Sequence, residues 1–200
     1  MGKEQSTGSE RENYEVSGVR KKNLFPGARG ECLENAPDGV NLHLGCGGKR
    51  WNGFINVDIV GGDVVSDLKK LPFDDNYADL AVSIHVLEHF YYWEVIPLLN
   101  EWKRVLKSNG TLVLELPCMN KVFNHISDSI RLQQPMNAQK SWLALWGDPR
   151  EQRPEMCHRW GWTKEDLTDT LTECGFKDIT HEQPRYHMAS RDMRIVCRKA

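Results

Sequence analysis

Three side chains able to handle protons fall within five consecutive residues in "HVLEH": His85, Glu88 and His89. A histidine titrates near neutrality and can take a proton from a hydroxyl or an amine, so His89 is the first candidate base and His85 the second. If the chain turns helical here, Glu88 and His89 lie about one turn from His85. The plainer alternative is that the segment shapes a pocket rim and caps the helix that follows. A second stretch with chemical potential is "LHLGCGG", where Gly45 and Gly47 permit positive φ and close approach of backbone amides to a ligand. Asp58 ends the next strand thirteen positions after Gly45, where a carboxylate can accept hydrogen bonds from a ribose diol. Cys157 and His158 with Cys118 and His125 match no zinc-finger or catalytic spacing, so no metal is expected.

The glycine turn does not fit a dinucleotide. A G-x-G-x-x-G fingerprint starting at Gly45 would need glycine where Arg50 stands, and its acidic residue should lie about 20 positions on. A diphosphate also wants the N-terminus of a full helix, and Gly48 to Phe54 leaves room for a turn or two. The spacing favours a nucleoside ligand without a pyrophosphate.

Composition limits the remaining classes. A chain of 200 residues suits one domain with a core of its own plus a modest extension. Lys+Arg 26 against Asp+Glu 28 gives no general attraction for nucleic acid or an anionic membrane. The cysteines (Cys32, Cys46, Cys118, Cys157, Cys174, Cys197) show no C-x-x-C spacing and read as small buried thiols of a reducing compartment. No apolar run reaches the roughly 18 to 20 residues of a membrane span, and the N-terminus lacks a signal-peptide core. A cytoplasmic protein is expected.

These groups must be carried by regular elements. Residues 1 to 36 are polar and aperiodic and are expected to form a flexible tail before a domain over 37 to 200. From Val40 onward, "VNLHLG", "FINVDI", "ADLAVSIHVL" and "TLVLELP" read as strands. Between the last two, Val95, Leu98, Leu99, Trp102, Val105 and Leu106 make one apolar helical face. Pro97 belongs in a first turn, so that helix is placed from about Pro97 to Lys107. "WTKEDLTDTLTECGF" is a helix with Thr163 as N-cap, Asp166 as its third residue and Gly175 at the C-cap, followed by two closing strands. Strands interleaved with helices imply a largely parallel sheet, and ligands of such sheets bind beyond the strands' carboxyl ends. Residues 120 to 162 are too many for a loop and should form a helical insert before the penultimate strand.

From about Val40 to Lys199 the chain resembles a class I S-adenosylmethionine-dependent methyltransferase of the type 11-like small-molecule group. "LHLGCGG" is similar to the family's first motif, "NVDI" to its second, and "SDLKKLPFDDNYADLAVSIHVLEHF" to its third and fourth. "VLKSNGTLVLELP" is similar to its "LKPGG" turn and fifth strand, and "HRWGWTKEDLTDTLTECGF" to a later segment. The resemblance implies an α/β Rossmann-like fold with a seven-stranded, mostly parallel sheet whose last strand is antiparallel. It implies that Gly45, Cys46 and Gly47 pass under the methionine part of S-adenosylmethionine, and that Asp58 with Ile59 meets the ribose. Asp67 and the Leu68 amide would meet the adenine, and Ser83, Ile84 and His85 would line the floor near the sulfonium. Asp67 as a simple turn cap is the alternative. The family often has an acid where His43 stands and a glycine where Lys49 stands; Lys49 or Arg50 is then a candidate for the cofactor's carboxylate, with a solvated surface pair as the alternative.

Methyl transfer from a sulfonium gains mainly from proximity and alignment, and needs a base only when the acceptor must lose a proton. The resemblance therefore implies transfer to an O or N atom of a small acceptor, a sugar or a secondary metabolite, leaving S-adenosylhomocysteine. The insert should act as a substrate lid. Its Trp142, Trp146, Trp160 and Trp162 with Met136 and Met156 form either an aromatic wall or a small core, and Arg131, Arg150, Arg153 and Arg159 are candidates for an anionic group. Two other readings stay beside this one: a binding protein that kept the fold without turnover, and, less favoured by the glycine spacing, a nicotinamide oxidoreductase. The oligomeric state is not legible.

Overall fold

The computed structural model describes residues 38–133 and 138–200, with only the backbone at 138–140 and in three short strands near the start of the chain. Those strands are β1 (Tyr14–Val16), β2 (Val19–Lys21) and β3 (Arg29–Gly30). β1 pairs antiparallel with β2. The rest of the tail expected over 1 to 36 lies outside the described residues, as does Met136.

The body follows as β4 (Asn41–Leu44), β5 (Arg50–Trp51), β6 (Ile55–Asp58), β7 (Val64–Val65) and β8 (Ala78–Ile84). Next come α1 (Tyr92–Val105), β9 (Leu106–Pro117), α2 (Met119–Arg131) and α3 (Ala138–Trp146). The chain closes with α4 (Lys164–Glu173), β10 (Phe176–Glu182) and β11 (Asp192–Lys199). One seven-stranded sheet runs in the order β10-β11-β9-β8-β4-β6-β7. β11 is antiparallel to both neighbours, and the pairs from β9 across to β7 are parallel. This is the largely parallel α/β sheet expected from the alternation of strands and helices, and the Rossmann-like form with its last strand reversed that the resemblance implies.

Residues alternate between the two faces of a strand, and the two faces are covered by different means. On one side α1 lays Val95, Leu98, Leu99, Trp102 and Val105, all fully buried, against Leu112, Leu114 and Leu116 of β9. Each such side chain contributes about 1.5 to 3 kcal/mol on burial, and the Trp102 Nε1–H donates to Leu68 O at 3.1 Å. On the other side no helix connects β4 to β6. The crossover carries β5 instead, which pairs in parallel with β3, and Trp51 and Phe54 cover Leu80, Val82 and Val113. Trp51 stacks on His43 at 3.6 Å and on Tyr186 at 4.9 Å. Asn56 pins this short crossover: its Nδ2 donates to Trp51 O, Phe54 O and Asp63 Oδ2, and its Oδ1 accepts from the Trp51 amide at 2.7 Å. His43 is therefore a core residue and does not face a ligand. Burial pushes its pKa down to about 4 against the opposing pull of the Asn56 hydrogen bond.

Both ends of α1 differ from the expectation: it stops at Val105, so Leu106, expected on its apolar face, opens β9, which also takes in "SNG". Helix α1 starts at Tyr92, five residues before Pro97, and Pro97 sits inside it. The start is fixed by Glu94, whose carboxylate accepts the Tyr91 amide at 3.1 Å, and the amide missing at Pro97 would have bonded the carbonyl of Trp93, an exposed residue. Helix α4 begins and ends where its caps predict: Thr163 Oγ1 accepts the Asp166 amide at 3.1 Å, and Gly175 has φ +81°. The insert is helical, with α2 and α3 joined over Met119, Val122 and Ala144. Among the described residues, no helix is long and apolar enough to cross a membrane.

Candidate active site

β8, β4 and β6 are adjacent and parallel, with Ser83, Leu44 and Val57 at matching register positions. Their carboxyl ends consequently bring Gly45 to Gly47, Asp58 and Ser83 to His85 onto one edge of the sheet, where open parallel sheets bind ligands. The amides of Gly45 and Cys46 donate to Val57 O, which draws the glycine turn towards the end of β6. Gly45 has φ +74°, and a Cβ there would lie 2.3 Å from Val86 Cγ2. Gly47 also has positive φ, but a Cβ there would meet nothing within 4 Å, so the space above it is open to a ligand. Asp58 accepts the Gly47 amide at 2.8 Å and the Val60 amide at 3.1 Å, one on each oxygen. Gly47, Gly48, Arg50, Asp58, Gly62 and the insert residue Arg153 line a cleft of about 230 Å³. Ile59 and Val60 expose apolar surface at its side.

The remaining expected cofactor residues are placed as follows. Asp67 Oδ1 accepts the Lys69 amide at 2.9 Å, so this carboxylate caps a turn. Leu68 is buried. Ser83 is buried and its hydroxyl has no hydrogen-bond partner among the described residues. Lys49 is exposed, whereas Arg50 is buried beneath the turn. Of the cysteines expected to be buried, Cys157 is exposed, because it lies on the rim of the insert.

His85 breaks the strand. Its φ is +53°, a region a side chain of this size enters only when its surroundings hold it there. Its Nδ1 lies 3.0 Å from Glu88 Oε1 and its Nε2 3.0 Å from Asp192 Oδ2, and both carboxylates are buried. Burial by itself would lower its pKa, but the Glu88 charge and the bond to Asp192 raise it to about 9. His85 is thus an imidazolium held between two carboxylates. His89, on a short 3-10 turn (Leu87–His89), has its pKa lowered, chiefly by burial. Its Nδ1 lies 3.3 Å from Cys157 O, and since a carbonyl only accepts, the proton sits on Nδ1 and the Nε2 lone pair is free in the neutral ring. Its ring meets that of His158 edge-on at 4.8 Å.

Three participants were not singled out from sequence. Asp192 is fully buried and accepts from Arg191 Nε at 2.6 Å as well as meeting His85. His187 packs its ring 4.1 Å from that of His85. Buried Glu115 accepts the amides of Arg185, Tyr186 and His187, so it fixes the loop that carries His187 over the site. An acid at the first position of the strand "DMRIVCRK" is the signal that could have flagged Asp192.

The insert's tryptophans separate. Trp162 is fully buried in the main core, while Trp142 and Trp146 stack on each other at 5.2 Å and remain partly exposed. With Met156, Asp148, Arg150 and Cys157 they line a cleft of about 860 Å³. Cys157 thus borders this cleft while its carbonyl meets His89. Arg131, Arg150 and Arg153 pair with neighbouring acids, and Arg159 lies 4.8 Å over the Tyr91 ring.

A family model described as "Methyltransferase domain" matches residues 49–114, which include Asp58, Asp67 and Ser83 to His89. An uncharacterised protein of Methanocaldococcus jannaschii is 34% identical over 98 residues, covering 41% of this chain and 42% of that protein. The chain therefore spans less than half the length of that relative. Among solved structures, an S-adenosylmethionine-dependent methyltransferase from Methanosarcina mazei is similar in fold, with TM-score 0.56 and 19% identity over 81% of this chain and 92% of that one. So is a possible histamine N-methyltransferase from Thermotoga maritima, with TM-score 0.53 and 15% identity over 83% and 84% of the two chains. With residues 49–114 matching a methyltransferase-domain model and the matched motifs lying on the site edge of this sheet, the chain shares the fold of the S-adenosylmethionine-dependent methyltransferases it resembles.

Proposed function

We propose that this protein transfers a methyl group from S-adenosylmethionine to an O or N atom of a small acceptor, releasing S-adenosylhomocysteine. The observation that carries the reading is the meeting of the glycine turn, Asp58 and Ser83 to His85 at one edge of three adjacent parallel strands. The residues suit the cofactor. An ionised carboxylate has about four acceptor positions; two on Asp58 hold amides, which leaves two for a ribose diol. Ile59 and Val60 offer apolar surface for adenine, and the open space above Gly47 admits the methionyl chain. The bound cofactor supplies an electrophilic methyl group on a sulfonium.

The chain's own part is to align the acceptor and accept its proton. Between the two expected bases, His89 has a lone pair at neutral pH, whereas His85 is already protonated and serves to hold Glu88 and Asp192 in place. The cleft beside Trp142 and Trp146 has the volume of a small-molecule site and mixes aromatic walls with a few charges, which suits a single sugar or an aromatic metabolite. Incubation with methyl-labelled S-adenosylmethionine and a panel of small alcohols, phenols and amines should give a labelled product together with S-adenosylhomocysteine. Calorimetry showing NAD bound and S-adenosylmethionine ignored would overturn the reading. Cofactor binding with no product across the panel would replace it with a binding role.

A further inference from the structure

Beyond methyl transfer, and on observations that do not need it, we propose that Glu88, His158 and the proposed base His89 form a binding site for one divalent transition-metal ion of the zinc type. The sequence spacing argues against a metal at Cys157, His158, Cys118 and His125; Glu88, His89 and His158 are a different set, drawn from two segments, and their meeting depends on the fold. The amides of Arg159 and Trp160 donate to Glu88 O, at 2.7 and 3.3 Å, which ties the insert's segment to the 3-10 turn after β8. One donor atom from each of Glu88, His89 and His158 then lies within 4.8 Å of the other two, and His158 Nε2 is 4.0 Å from Glu88 Oε1. Around a zinc ion with bonds of about 2.1 Å, tetrahedral ligand atoms stand roughly 3.4 Å apart.

Two further observations point to a ligand. Both histidines present their Nδ1 to a main-chain carbonyl, His89 to Cys157 O at 3.3 Å and His158 to Ala144 O at 2.9 Å. A carbonyl fixes the proton on Nδ1, so each neutral ring keeps its Nε2 lone pair available, the outer-shell arrangement typical of metal-binding histidines. Glu88 is 2% exposed. Its Oε1 meets His85 as an ion contact rather than an aligned hydrogen bond, and its Oε2 has no hydrogen-bond partner among the described residues. A buried carboxylate oxygen left without a partner costs about 1 to 3 kcal/mol or more, and a bound cation would satisfy it.

The second cluster, His85, His187 and Asp192, is the poorer host. Both Asp192 oxygens already receive the Arg191 guanidinium, at 2.6 and 3.0 Å, and His85 bridges to Glu88. Two histidines and one carboxylate leave at least one coordination position for water or an acceptor oxygen, and a metal there would lower that oxygen's proton affinity. With the ion bound, the His89 lone pair would be a ligand and the metal would take over its proton task.

Cobalt(II) titration of untagged, chelator-stripped full-length protein tests the site without reference to methyl transfer. The expected result is one equivalent of cobalt with a visible d–d spectrum, displaced by zinc. His158→Gln and Glu88→Gln should each weaken binding by more than about 100-fold, the upper end of what losing even an outer-shell partner costs, whereas His187→Gln should bind like the unaltered protein. Circular dichroism of the metal-free variants checks that they fold; should either fail, X-ray absorption of the unaltered protein must show two imidazole ligands. Absence of a cobalt spectrum in the unaltered protein, full binding in His158→Gln, or loss confined to His187→Gln would each overturn the proposal.

Discussion

Asp58 shapes its own loop and is, in the proposed function, the residue that meets the ribose. Its two oxygens already tie the Gly47 and Val60 amides, so the loop is shaped before a cofactor arrives. Asp58→Ala should weaken S-adenosylhomocysteine binding by about 1 to 3 kcal/mol through lost charge-assisted bonds. Asp58→Asn, which keeps one acceptor for the loop, should lose less, and calorimetric affinities equal to the unaltered protein in both variants would remove Asp58 from the ribose role. The two histidines of "HVLEH" should separate in the same way. His85→Phe leaves Glu88 and Asp192 as buried charges without their shared counter-ion and should cost about 3 to 5 kcal/mol of stability. His89→Gln should preserve the denaturation midpoint and lower turnover by roughly 10²- to 10⁴-fold once an acceptor is known. Two variants with matching stability losses would contradict this division. Gly45, Gly47, Asp58 and "HVLEH" were legible in the sequence because their spacing is local. Asp192 was not, since it reaches His85 from 107 residues away through the pairing of β11 with β9.

At the scale of elements, close packing constrains the glycine turn against the turn after β8. A Cβ at Gly45 would overlap Val86 Cγ2, and the φ of +74° is itself unfavourable for other residues. Gly45→Ala should therefore destabilise by about 1 to 3 kcal/mol, and in a double-mutant cycle with Val86→Ala part of that loss should disappear, because only the steric share is shared between the sites. Strict additivity in urea denaturation would mean the loop moves away and the contact does not matter. The strands, α4 and the helical nature of the insert could be read from periodicity and caps, since these are set within a few residues. The start of α1 could not. Pro97 argued for a later beginning, but Glu94 bonding the Tyr91 amide and the burial of Val95 outweigh one missing amide bond on an exposed turn. Which tryptophans of the insert enter the core was equally illegible, because α2, α3 and α4 decide it together.

Across the whole molecule, the two sheet faces respond differently to pH. The α1 face is aliphatic around Trp102, whereas the opposite face depends on Trp51 stacked between His43 and Tyr186. His43 is 3% exposed and its pKa lies near 4, mainly because burial disfavours the charged ring; the Asn56 bond and Asp58 pull it upward and Lys49 pushes it down. In the unfolded chain a histidine titrates near 6.5, so between these values the unfolded state binds more protons and stability rises with pH. The stabilisation is complete above about pH 6.5 and is lost as pH falls towards 4, amounting to roughly 2 to 3 kcal/mol at the lower end. His187, also lowered to about 4 by burial and by the charge on His85, adds in the same direction but less, since it is exposed to solvent. His43→Phe keeps a ring against Trp51 and removes the titration, so urea midpoints of the metal-free protein should fall less steeply over this window than those of the unaltered chain. Parallel profiles would mean that the Trp51 face opens and hydrates His43 before the ring is charged, and the aromatic cover would then be a weaker substitute for a crossover helix than its packing suggests.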